Sequence, residues 1–142
     1  MTIALPPYAA LMGIIAEPGP AAGDPPVLRM DFTHALEGRP GHLHGGATAG
    51  LLEMAAHAAL TASLGGAAPG SADGAPRFKP IGITIDYMRP GRSLPTFARG
   101  RVTRVGSRVA TVIVEAWQEE GGPQIAAARL HMLLARDEKA AR

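Results

Sequence analysis

The chain has 142 residues, of which 46% are hydrophobic, and a formal net charge of +2, which is typical of one folded domain with a core. The charge balance does not indicate nucleic-acid binding, and the absence of cysteine excludes disulfides, thiolate metal sites and cysteine nucleophiles. No apolar run reaches the roughly 18 residues of a membrane span, and the proline-interrupted N-terminus is unlike a signal peptide. We therefore expect a cytoplasmic protein.

The predicted elements begin with a short helix over residues 6–13, followed by a loop rich in proline and glycine. Residues 1–26 are thus expected to hold helix and loop only. A first strand is predicted over 27–34, and apolar residues at helical spacing predict a helix over 46–63, after a turn at 38–45.

After residue 78 the apolar period changes from 3.6 to 2. The alternation predicts four antiparallel strands joined by tight turns, over 80–89, 95–105, 108–118 and 124–135. One early helix followed by such a sheet indicates an α+β fold. Because the helix is rich in alanine and glycine, the sheet can wrap it closely. We expect a single domain over 1–142, with a solvated tail at 137–142.

The predicted helix carries one acid among apolar and small residues, in the stretch GRPGHLHGGATAGLLEMAAH over 38–57. At about 100° per residue, Gly46, Gly50, Glu53 and His57 share one stripe. A buried carboxylate is costly unless it is hydrogen-bonded or functional. Glu53 therefore either pairs with His57 one turn on, or acts as a catalytic group.

The turn before this helix contains His44, Gly45 and Gly46. It is either a plain tight turn or a site where unhindered amides at a helix N-terminus stabilise an oxyanion. Gly46 and Glu53 are seven residues apart, which is roughly 10 Å of helix rise. That is too far for both to act on one reacting atom. If both are catalytic, one comes from a neighbouring subunit, which predicts an oligomer with interface active sites.

Five stretches carry a resemblance to a known family: LPPYAALMGI, GRPGHLHGGATAGLLEMAA, ITIDYMRPGR, RVTRVGSRVATVIVEAW and IAAARLHML. Over about residues 5–135 the chain resembles hotdog-fold acyl-CoA thioesterases of the phenylacetate-degradation type. The resemblance implies a central helix wrapped by a curved antiparallel sheet, and homodimers that usually pair into homotetramers. It also implies hydrolysis of an acyl-CoA substrate without a separate cofactor.

The resemblance implies a role for each residue of the turn and the stripe. Gly45 would supply the polarising N–H and His44 would shape the turn. Glu53 of the partner would be the general base or the nucleophile. His57 matches a position where some members keep a polar side chain near the attacking water.

Two positions depart from the family pattern. Gly38 stands where many members have an asparagine that orients water or substrate, and Pro80 where some animal members have a serine. Either function could be taken over by a histidine, or turnover could be weaker; the candidate histidines are His34, His42 and His57.

Several arginines could bind the phosphates of coenzyme A near the site entrance, or could simply form a solvated strand face. They are Arg89, Arg92, Arg104 and Arg108. The histidines His34, His42 and His44 have no carboxylate at a recognisable ligand spacing, so no metal site is predicted.

Two other functions stay open. One is a hotdog dehydratase or hydratase acting on carrier-protein thioesters, for which His34 could serve as the histidine, although that family has Pro-Gly where this chain has Gly-Gly. The other is a non-catalytic acyl-CoA binding module, which Gly38 in place of asparagine keeps open.

Overall fold

One long helix and six antiparallel strands form the fold in the computed structural model, which describes residues 3–72 and 75–135. In chain order the elements are α1 (Pro7–Leu11), β1 (Ile14–Glu17), β2 (Val27–Met30), a 3-10 helix (His34–Leu36), α2 (Gly45–Ser63), β3 (Arg77–Tyr87), β4 (Thr96–Val105), β5 (Val109–Trp117) and β6 (Gln124–Ala135). The predicted α+β class is confirmed.

The long helix α2 is buried against the sheet, and the small residues on both sides make this contact close. A Cβ placed on Gly100 of β4 would lie 2.9 Å from the carbonyl oxygen of Ala55 and 2.9 Å from the Cβ of Ala59. Only glycine therefore permits this distance between helix and strand. Larger side chains of α2, including Leu51, Leu52 and Leu60, fill the core and are fully buried.

The sheet has the strand order β1-β2-β4-β5-β6-β3, with all neighbours antiparallel. The pairing register shifts between Pro80 and Gly82 in β3 and between Val102 and Arg104 in β4. Such irregularities bend and twist a strand. They help the sheet to curve around α2, as predicted.

The N-terminal part differs from the expectation. Residues 1–26 contain not only helix and loop but also β1, which pairs with β2 from Ile14 opposite Met30 to Glu17 opposite Val27. A four-residue edge strand shows too little alternation to be recognised from sequence. The first predicted strand ends at Met30 and not at residue 34, because the chain soon enters the 3-10 helix. The predicted tail at 137–142 lies outside the described residues.

Strand β3 forms a long edge of the sheet with apolar side chains exposed to solvent. Ile83 and Tyr87 pair with the buried residues Leu130 and Ala126 of β6, so they lie on the helix side of the sheet as the alternation predicted. They are nevertheless 44% and 56% exposed, and Ile81 is 55% exposed. The helix thus does not cover β3, and this edge strand of 11 residues presents three large apolar side chains to solvent.

Candidate active site

His44 caps the N-terminus of α2 through both its backbone and its side chain. Its Nδ1 accepts a hydrogen bond of 2.8 Å from the N–H of Gly46, and its carbonyl oxygen accepts from Ala47 and Thr48 at 2.9 and 3.2 Å. Nδ1 can accept only when the proton of the neutral ring is on Nε2. The side chain therefore fixes the turn and occupies the amide of Gly46.

Gly45 is the first residue of α2 and has an open amide. The first N–H groups of a helix have no intrahelical acceptor, and among residues 3–72 and 75–135 the Gly45 N–H donates no hydrogen bond. Its carbonyl oxygen accepts a bond of 2.9 Å from the hydroxyl of Tyr87. Tyr87 thus holds the Gly45–Gly46 peptide in place, and Gly45 is the glycine of the turn that can donate to a ligand.

Two pockets flank this turn. The first, of about 320 Å³, is lined among others by Gly45, Thr48, Tyr87 and Arg89, and also by Arg39. The second, of about 280 Å³, shares Arg39 and Gly45 with the first and also includes Gly38 and His42. Gly45 therefore lines space that a ligand can enter.

The acidic stripe of α2 is partly open at Glu53 and His57, whereas Gly50 on the same stripe is buried. Within residues 47–61 only Ala49, Glu53 and His57 are not buried. Among the described parts of the chain no ion pair joins Glu53 to His57. The interpretation of this carboxylate as one half of a structural salt bridge thus has no support from the geometry.

His57 lies in an apolar environment one turn beyond Glu53. Its ring packs against Phe78 of β3, with ring centroids 4.7 Å apart and an interplanar angle of 53°. Its Nδ1 is buried, and burial lowers the pKa of His57 below its ordinary value because the charged ring is poorly solvated there. His57 is therefore neutral at pH 7.

This lowered pKa makes stability depend on pH. The unfolded chain protonates His57 at the ordinary pKa of about 6.5, whereas the folded chain resists protonation. The stabilising contribution of neutral His57 is thus complete above about pH 6.5 and is lost as the pH falls through the lowered folded pKa. Urea unfolding at about pH 7.5 and about pH 5 measures this, because these values lie above and below that ordinary pKa.

Between these two pH values, we expect the free energy of unfolding to fall less in the His57→Gln variant than in the wild type. The matched control is His34→Gln, in which the histidine that is replaced has a 94% exposed side chain. A His57→Gln profile that follows the wild type at every pH would contradict this assignment.

Gly45 and Glu53 of one chain are too far apart to act on one atom. They are eight residues apart in the same helix, which corresponds to about 12 Å. The structure thus keeps them apart as the spacing predicted, and their joint action requires a second chain.

The predicted phosphate-binding arginines lie at two ends of the sheet. Arg89 lines the pocket beside Gly45. Arg92 is nearby, where its backbone N–H and carbonyl both bond to the side chain of Gln118 at 3.0 Å. Arg104 and Arg108 lie at the β4–β5 hairpin, at the opposite end of β4. One chain therefore does not bring the four together.

The other histidines differ in their surroundings. His34 lies in the 3-10 helix, 3.9 Å from Glu37, and His42 lies beside the second pocket with Nδ1 3.0 Å from the carbonyl oxygen of Pro40. Across the described residues no group of three or more histidines and carboxylates could hold a metal ion.

Two residues of the site were missed or undervalued at the sequence level. Arg39 lines both pockets, and its position in the turn segment before the helix is a signal that could have indicated this. Tyr87 reaches Gly45 from 42 residues away, and nothing in the local sequence predicts such a contact.

No helix within residues 3–72 and 75–135 combines the length and hydrophobicity that crossing a membrane requires.

Comparison with solved structures shows the same fold in several proteins. AziG of S. sahachiroi is 20% identical with a TM-score of 0.77, and the match covers 94% of this chain and 100% of that one. A phenylacetic acid degradation-related protein of Ralstonia eutropha JMP134 is 20% identical with a TM-score of 0.72, covering 92% and 91%. BH2602 of Bacillus halodurans, solved with CoA, is 18% identical with a TM-score of 0.74, covering 92% and 79%.

At these identities the structural matches establish the fold, a hotdog fold in which a curved antiparallel sheet wraps one long helix. No curated protein matches the chain in sequence. The sequence profile of the thioesterase superfamily matches residues 40–124, more than half of the chain, which includes most of the turn and the whole of α2 and β3. The chain therefore belongs to the thioesterase superfamily.

Proposed function

We propose that the protein hydrolyses an acyl-CoA thioester to a free acid and CoA, at a site shared by two chains. The observation that carries this proposal is the open N–H of Gly45 at the start of a helix that also exposes one carboxylate, Glu53, in a member of the thioesterase superfamily. An amide donor can stabilise the oxyanion that forms from a thioester carbonyl, and a carboxylate can activate the attacking water.

The thioester carbonyl binds at the N-terminus of α2. Its oxygen accepts a hydrogen bond from the Gly45 N–H, which is aided by the positive end of the helix dipole. Because the Gly46 N–H already bonds to His44, we assign the polarising role to Gly45 and a shaping role to His44 and Gly46. Tyr87 positions the donor by holding the Gly45 carbonyl oxygen.

Glu53 of the partner subunit activates water. Its carboxylate takes a proton as the water oxygen bonds to the carbonyl carbon, and the resulting oxyanion is stabilised by Gly45. The C–S bond then breaks, and the CoA thiolate receives the proton from Glu53. Direct attack by the carboxylate, followed by hydrolysis of the anhydride, is the alternative route. His57 lies one turn on and stays neutral beside the water.

The open edge of β3 supports the dimer that this mechanism requires. Long apolar strand edges tend to pair with another chain, and the two-fold pairing of identical strands is the simplest closed arrangement. At one end of β3 Tyr87 contacts Gly45, and at the other Phe78 contacts His57. Glu53 lies between these contacts, so antiparallel pairing of two β3 strands turns the Gly45 end of one chain towards the middle of the partner's helix.

The same pairing accounts for arginines at both ends of the sheet. Arg39 and Arg89 line the pocket at the chain's own turn, whereas Arg104 and Arg108 lie at the end that antiparallel pairing brings towards the partner's turn. The CoA bound to BH2602 supports a CoA ligand for this fold. We infer that these arginines contact the CoA phosphates, and that dimers associate further into tetramers.

The test is a screen of acyl-CoA substrates of different chain length, with release of free CoA as the signal. We expect turnover of at least one of them. Hydration of crotonyl-CoA without CoA release would indicate a hydratase instead, and tight binding without any turnover would indicate a binding module.

A further inference from the structure

Tyr8 of α1 rests directly on α2 at Gly50. A Cβ placed on Gly50 would collide with the Tyr8 hydroxyl and would lie 3.0 and 3.1 Å from Cζ and Cε2 of its ring. Glycine within a helix is less favourable than alanine, and α2 uses alanine at most of its small positions. The glycine at position 50 is thus explained by the tyrosine that it accommodates.

This contact lies on the helix face that the proposed reaction uses. Gly50 is on the stripe with Gly46 and Glu53, one turn beyond the first and one turn before the second. The phenol of Tyr8 therefore covers the stripe between the amide end of the site and the carboxylate.

The Tyr8 hydroxyl is not used to hold the fold together. Tyr8 is 38% exposed, and within the described part of the chain its hydroxyl makes no hydrogen bond, in contrast to that of Tyr87. A tyrosine with an open hydroxyl on a reactive helix face is available to a ligand.

We propose that Tyr8 is the end wall of the acyl-binding space and limits the enzyme to short acyl chains; this rests on the proposed function. An acyl group whose carbonyl carbon is held at Gly45 and which extends along the helix meets the Tyr8 phenol at Gly50, five residues further along α2. That length is roughly 7.5 Å of helix rise, which fits a chain of a few carbons. Longer chains require the ring to move.

Binding of CoA thioethers that cannot be hydrolysed tests this independently of turnover. The probes are butyl-, hexyl-, octyl- and decyl-CoA, titrated into the wild type, Tyr8→Ala, Gly50→Ala and Leu11→Ala. We expect the wild-type affinity to stop rising beyond the shortest chains. In Tyr8→Ala each added methylene should raise affinity by about fourfold, the amount expected for its burial.

The Gly50→Ala variant should act in the opposite direction, because the added methyl pushes the Tyr8 ring into the acyl space and shortens the accepted chain. If Tyr8→Ala does not fold, the Gly50→Ala variant still tests whether Tyr8 limits the length of the acyl chain. Leu11, on the same helix and 81% exposed, is the matched control, whose replacement leaves the chain-length profile unchanged. A wild-type profile in both Tyr8→Ala and Gly50→Ala would overturn the proposal. If the chain-length profile shifts in these variants but the protein hydrolyses no acyl-CoA, the role of Tyr8 would be supported and only the proposed hydrolysis would be refuted.

Discussion

The Glu53→Gln variant should hydrolyse the best acyl-CoA substrate about 100- to 10,000-fold more slowly than the wild type, the range that a general base supplies. Glutamine fills the same half-buried position but cannot accept the proton of the attacking water. Because the carboxylate is assigned to the water and not to the CoA portion, the loss should appear in kcat, with KM little changed. Steady-state kinetics with the substrate identified in the screen measures both.

The matched control is Glu120→Gln, in the exposed turn between β5 and β6, which should retain wild-type kinetics. Urea unfolding of Glu53→Gln should give a free energy close to that of the wild type, because Glu53 has no ion-pair partner among the described residues. Full activity of Glu53→Gln would refute the role of this carboxylate.

The second large effect concerns the amide of Gly45. Proline at this position removes the N–H and is otherwise suited to it, since the first residue of a helix is where proline is best tolerated. The preceding His44 has φ −64° and ψ 134°, a conformation that a following proline favours. We expect Gly45→Pro to lower kcat/KM by about 100- to 1,000-fold, the usual effect of losing one oxyanion donor.

Gly45→Ala separates the loss of the donor from the added bulk. It keeps the N–H, and its Cβ would be in ordinary contact with Tyr87, at 3.5 to 3.6 Å. We expect its activity to stay well above that of Gly45→Pro, with circular dichroism showing the same helix content in both variants. Equal activities in the two variants would mean that the amide is not the donor.

The sequence predicted the helix, its acidic stripe and the four long strands because each rests on a repeated local pattern. In α2 the stripe depends only on the helical period, and Glu53 and His57 are indeed among the few open positions between residues 47 and 61. The distance between Gly46 and Glu53, which are seven residues apart, can likewise be predicted from the helical rise per residue alone.

Contacts between distant segments could not be predicted in this way. The residues alone leave Gly45 and Gly46 as equivalent donors, and only the family resemblance assigns the role to Gly45; the orientation of the His44 ring shows that the amide of Gly46 is occupied. Tyr8 on Gly50 and Tyr87 on Gly45 each join residues about 40 positions apart, which no local periodicity records. The short strand β1 was missed because its pairing with β2, and not its own pattern, defines it.

The sharing of one site by two chains is tested most directly by combining two inactive variants. Gly45→Pro and Glu53→Gln chains with different affinity tags are co-expressed, and the mixed dimer is purified through both tags. One of its two sites then has an intact Gly45 from one chain and an intact Glu53 from the other. We predict about half of the wild-type activity per dimer, as two-fold symmetry requires. A mixed dimer no more active than either variant alone would contradict the shared site.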